Sequence, residues 1–207
     1  MGFLSGNLSF RRFKVVGALP SGFRESFVEA VQRRAFRENL DARTADDNIG
    51  WVNLLDPDDA EFDLNKILYD HYVVLSLRVD RKRVPARLLS ILHKRRCEEV
   101  KAEKGMERLS ANHKREIKEA VEEDLLQRAL PAVQVHDMCW DINSGEARLF
   151  ATSDTVADVF RIFFKDTFSM ELAHVRPSHW LDAAGIERGD LERRLFDLRP
   201  DLSYGRA

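Results

Sequence analysis

Apolar residues change their period along the chain, and each change marks an element. Across residues 8–16, Leu8, Phe10, Phe13 and Val15 interleave with Ser9, Arg11, Arg12 and Lys14, which predicts a first strand closed by Gly17 and Pro20. Ser21 is placed to cap a helix in which Phe23, Phe27, Val31 and Ala35 recur every fourth residue, carrying it to about Asn39. A polar turn over 41–48 leads to a short strand at 49–54, ended by Asp56-Pro57-Asp58-Asp59. Phe62, Leu64, Ile67 and Leu68 form a poorly defined connection, and residues 71–79, rich in Tyr, Val and Leu, predict another strand.

From Val84 the period lengthens to about 3.6. Val84, Leu88, Ile91 and Leu92 fall on one helical face that fades into charge by Lys104, where Gly105 offers a turn. Ser110 caps a second helix with Ile117, Val121, Leu125 and Leu126 before Pro131 stops it. Two helices joined by a short Gly-containing turn predict an antiparallel hairpin. Its apolar residues gather near the two sequence ends, so the turn end reads as a solvated projection. Beyond it, strands at 133–142 and 146–152 flank Asn143-Ser144-Gly145, a hairpin-turn signal. Ser153 or Asp154 then caps a helix carrying Val156, Val159, Phe160, Phe163, Phe164 and Phe168. A strand over 171–175 and short helical patterns at 179–184 and 190–198 complete the chain.

This order predicts an α+β fold, mainly antiparallel sheet packed with helices, with a charged helical hairpin projecting from it. The expected organisation is an α+β body from 1–83 and 131–177, a hairpin tip over 84–130 and a C-terminal helical segment over 178–207.

Charge sharpens that division. The 207 residues hold 33 Lys and Arg against 35 Asp and Glu, so the whole chain is slightly acidic. Between Arg78 and Lys118, however, fourteen basic residues face six acidic ones, giving +8 and leaving −10 elsewhere. Arg87, Lys94, Lys101 and Arg108 recur every seven residues, a spacing that drifts only about 20° per step and lines up a basic stripe, which Gly105 is placed to break before Arg108. Such a stripe can follow phosphates, and it has no Asn or Gln to read base edges. It is equally what a solvated helix face looks like, with Glu98, Glu99 and Glu103 placed to pair with their basic neighbours.

Signatures of a catalyst are missing. Glu99-Val100-Lys101 and Glu116-Ile117-Lys118 have the residue types of a metal nuclease, but both triplets lie in helical patterns where they arise by chance. His136 points away from Asp137, Cys139 and Asp141 on an extended strand, so one metal cannot take all four. No phosphate-binding glycine loop or nucleophile elbow occurs. Cys97 and Cys139 share no metal or disulfide spacing and read as reduced thiols. The Phe-rich helix reads as core rather than as a base-stacking platform. No catalytic residue, metal or cofactor is expected. The broken apolar character of the first residues predicts a soluble cytoplasmic protein with no membrane partner.

Several strings, in order, resemble the RdgC family of bacterial recombination-associated nucleoid proteins, which also carry an exonuclease label. They are the first strand over 8–15, Gly50-Trp51-Val52, and Leu75 to Leu77 leading through a basic turn to Val84-Pro85 and the charged hairpin. They continue with Leu125-Leu126-Gln127-Arg128-Ala129-Leu130-Pro131, Trp140-Asp141-Ile142 with Gly145, and residues 172–177. The resemblance implies a homodimeric ring around double-stranded DNA, bound without sequence preference, that restrains strand exchange. It also implies a shortened form lacking the family's C-terminal third. Leu130, standing where the family has an aromatic, is implied as a dimer contact.

Charge and resemblance together lead to one expectation: a nucleoid-associated, sequence-independent DNA-binding protein that modulates recombination or replication by occupying duplex, as a homodimer. Arg83, Arg87, Lys94, Arg95, Lys101, Lys104, Lys114 and Arg115 are its expected phosphate contacts. A metal-dependent exonuclease and a protein-interaction module using the hairpin are the alternatives.

Overall fold

The computed structural model describes residues 8–38 and 47–175. The helical patterns expected at 179–184 and 190–198, the start of the polar turn at 41–46 and residues 176–177 lie outside the described residues.

Strand alternation is realised as one antiparallel sheet. Within the described residues its strands are β1 (Arg11–Val16), β2 (Asn48–Val52), β3 (Leu68–Tyr69), β4 (Tyr72–Arg81), β5 (Ala132–Asp141), β6 (Glu146–Leu149) and β7 (Glu171–His174). Their order is β2-β4-β5-β6-β1-β7, with β3 paired to the start of β4. The helices are α1 (Phe23–Arg33), α2 (Leu64–Ile67), α3 (Ala86–Lys104), α4 (Ala111–Arg128) and α5 (Asp154–Phe168). The fold is mixed α+β, as the periodicities predict.

Two local details differ from the pattern reading. The connection after Phe62 contains a single helical turn, α2, because the Asp63 carboxylate accepts the Lys66 amide hydrogen at 3.0 Å, and β3 follows at once. Four residues are too few to display a period. Helix α1 starts after Gly22, whose φ of 73° sets the entry, and stops at Arg33 instead of running to Asn39. There the chain turns extended against β2: the Phe36 amide donates to the Trp51 carbonyl at 2.8 Å, and the Trp51 amide donates to the Arg34 carbonyl at 3.0 Å. Gly50 lies under this crossing, and a Cβ there would stand 2.2 Å from the Phe36 Cα.

The two sheet faces have different fates. On one, Val73, Leu75 and Leu77 of β4, Met138 and Trp140 of β5, Phe13 of β1 and Trp51 of β2 pack under Phe27 and Val31 of α1 and the aromatic stripe of α5. Phe160 and Phe164 are fully buried, and Phe164 and Phe168 meet at 4.7 Å between ring centroids. The Phe-rich helix is therefore core, each buried ring contributing about 1.5–3 kcal/mol. The Trp51 indole N–H donates to Thr167 Oγ1 at 2.9 Å, satisfying the one polar atom of a fully buried side chain. The other face carries a small cluster of Val74, Cys139 and Phe150, then polar pairs such as the Ser76 hydroxyl donating to Asp137 at 2.7 Å.

His136 belongs to the helix-covered face, opposite Leu77, and its Nε2 is buried with no hydrogen-bond partner among the described residues. Burial holds its imidazole below the usual histidine range, with Asp137 opposing. As pH falls through about 6.5 the unfolded chain takes up this proton and the folded chain resists it. Stability is thus lost on acidification from about pH 6.5 down to the depressed folded value. His136→Leu is expected to flatten the fall in melting temperature between roughly pH 7 and 5.5; an unchanged slope would assign that fall to another group.

Helices α3 and α4 occupy a distinct position. β4 and β5 are neighbours over their whole length, from Tyr72↔Asp141 to Arg81↔Ala132. The two helices are inserted between the paired ends Arg81 and Ala132. They contact each other.

Candidate nucleic-acid interface

The helix pair is built by local signals. Gly105, at φ 60°, ends α3 with the Met106 amide donating to the Lys101 carbonyl at 3.0 Å, a left-handed cap that a side chain would strain. Ser110 starts α4, its hydroxyl accepting the His113 amide hydrogen at 3.2 Å. The His93 Nε2–H donates across the seam to the Lys114 carbonyl at 2.9 Å, and Cys97 Sγ lies 3.3 Å from the same nitrogen. Leu89, Cys97, Leu109 and Leu126 are the buried residues of this segment.

Arg87, Lys94 and Lys101 all lie on α3, within about 40° of arc, flanking rather than sharing its buried face. Gly105 ends the helix before Arg108, as its place in the sequence predicts. The stripe therefore spans fourteen residues, about 21 Å at 1.5 Å per residue. Arg87 and Lys94 are exposed, while Lys101 is 27% exposed and bonds Glu98 at 2.8 Å.

Acidic partners are unevenly distributed around these helices. The other flank of α3 is tied up, with Arg95 paired to Glu99 at 3.2 Å and Arg96 to Glu99 at 3.0 Å and Glu103 at 3.5 Å. Those guanidiniums, Arg96 foremost, hold the Glu99 carboxyl below the usual range. On α4, Arg115 pairs with Glu119 at 3.7 Å. Of the eight expected phosphate contacts, Arg95, Lys101 and Arg115 are thus in intrahelical ion pairs. Arg83, Arg87, Lys94, Lys104 and Lys114 are exposed and form no ion pair among the described residues. Leu130 stands 87% exposed between α4 and β5, at the opposite end of the helices from Gly105.

Three basic residues counted with the segment are structural. Arg78 lies over the Phe36 ring at 4.3 Å and is held by Asp80 at 2.9 Å and Asp58 at 2.8 Å. Arg81 is clasped by Asp47, whose carboxyl that contact lowers from its ordinary range, and Lys82 is buried. Strand alternation could have flagged Arg78, two places from Asp80 on the same face. Charge also runs along α4: Lys114, Arg115 and Lys118 lie in its first half, and Glu119, Glu122, Glu123 and Asp124 follow. Positive potential is accordingly concentrated toward the Gly105 end, where the last turn of α3 and the first of α4 meet.

No group of three or more His, Cys, Asp or Glu is arranged to hold a metal ion among the described residues. Of the carboxylate–lysine triplets, Glu99 is engaged by Arg95 and Arg96, and Lys101 by Glu98. No described helix is long and apolar enough to cross a membrane. Cys97 and Cys139 are free and buried.

Compared with known proteins, residues 13–183 match the family model described as "Putative exonuclease, RdgC". No curated protein matches the chain.

Proposed function

Since the chain belongs to the RdgC family, whose role is recombination-related, we propose that it binds double-stranded DNA without sequence preference through the α3–α4 pair. It does so as a homodimer in the nucleoid, modulating recombination or replication by occupying duplex. The observation that carries this reading is the asymmetry of α3. Its glutamates occupy Arg95, Arg96 and Lys101, while Arg87, Lys94 and Lys104, with Lys114 of α4, are exposed and form no ion pair among the described residues. Long cationic side chains suit phosphate contact, which fixes position but carries no sequence information.

The test is fluorescence anisotropy on two unrelated duplexes of equal length, across salt concentrations. Equal affinities are expected, with log K falling linearly against log salt at a slope of about 0.9 per phosphate contacted, so roughly 4.5 if the five free cations of one protomer each meet a phosphate. No binding at low salt, or a preference above about tenfold for one duplex, overturns it. A mass measurement of the free protein tests the homodimer. Mg²⁺-dependent shortening of end-labelled duplex would replace occupancy with nuclease action.

A further inference from the structure

Lys94 and Lys101 of α3 and Lys114 of α4 lie near the seam of the helix pair. Lys94 and Lys101 stand on one flank of α3, and the His93–Lys114 contact of 2.9 Å brings the first turn of α4 beside them. Glu98 lies against Lys101, its Oε1 2.8 Å from Lys101 Nζ. Lys101 above all, through that hydrogen bond, and then Lys94 and Lys114 hold the Glu98 carboxyl below the usual range. Across the helix, Glu103 bonds Arg96 at 3.5 Å. The two glutamates are equally open to solvent, at 62% and 60% exposed, and differ in what surrounds them.

We propose that Glu98 is an internal competitor for phosphate: it occupies Lys101 in the free protein and must be displaced when a duplex phosphate docks there. This rests on the DNA-binding reading above and adds a regulation of the same surface. A phosphate reaching Lys101 meets an ammonium already bonded to a carboxylate, so docking exchanges one anion for another. The arriving phosphate is also repelled by the carboxylate it displaces. The contact consequently forms weakly and opens readily, which suits a protein that covers duplex and must still release it.

Glu98→Gln keeps the shape of the side chain and removes its charge. In a binding titration near 0.1 M salt it is expected to tighten duplex binding roughly three- to tenfold, chiefly through slower dissociation. Its salt slope should steepen by about 0.9, one additional phosphate contact. Glu103→Gln changes the net charge identically, but its carboxylate lies across a helix about 10 Å thick, one Debye length away. It should stay within about twofold of the unmodified protein. Equal tightening by both variants would reveal a general charge effect and overturn the proposal, as would an unaltered affinity and slope in Glu98→Gln. If the unmodified protein fails to bind duplex at low salt, the DNA-binding reading falls and takes this inference with it, a result distinguishable from the other two.

Discussion

Gly50→Ala is expected to abolish the native fold or to cost it roughly 3–5 kcal/mol, the largest effect of any single methyl group in the sheet. The new Cβ would lie 2.2 Å from the Phe36 Cα and 2.4 Å from its amide nitrogen. Both are backbone atoms, so no rotamer change relieves the overlap. Nor can the segment simply retreat, because Phe36 and Arg34 are hydrogen-bonded to the two sides of Trp51. Withdrawal would break those bonds and uncover a fully buried indole. Urea denaturation monitored by tryptophan fluorescence, alongside soluble yield, measures the loss. A variant as stable as the parent would show that the chain after α1 does not cross β2 at Gly50.

Reversing Arg87, Lys94 and Lys101 together to glutamate is expected to weaken duplex binding at least about 100-fold at low salt, by the same factor for unrelated sequences. Each reversal removes a cation that can displace counterions and supplies a repulsive charge in its place. Arg87 and Lys94 are exposed and without ion pairs among the described residues, so their change takes little from the helix. Lys101→Glu places like charges at Glu98 and position 101, costing a few tenths of a kcal/mol. The far-ultraviolet circular dichroism spectrum should therefore be preserved, separating lost binding from lost structure. Undiminished affinity in a folded triple variant would locate the DNA contact elsewhere than α3.

Much of this architecture can be read directly from the chain, and the remainder resists for identifiable reasons. The Tyr-, Val- and Leu-rich run of β4, the aromatic stripe of α5 and the Gly145 turn, at φ 64°, each express a local rule strong enough to locate the element. Sheet order is a matter of long-range pairing, and nothing near β1 announces that it lies between β6 and β7. The demand on Gly50 comes from a segment fourteen residues earlier. At the candidate interface the stripe was visible as a seven-residue spacing, but its length depended on the break at Gly105. Which cations are free depended on partners such as Asp47 and Asp58, whose positions follow from the loops around the sheet. Counting charge in a window could not separate Arg81, clasped on the body, from Lys94 in solvent.

The placement of α3 and α4 has an evolutionary side. Because they enter and leave through Arg81 and Ala132, which are already ladder neighbours, whole turns can be added to or trimmed from both helices without shifting strand register. Reach and surface chemistry of the arms are free to drift among descendants, while the sheet beneath keeps its own inheritance.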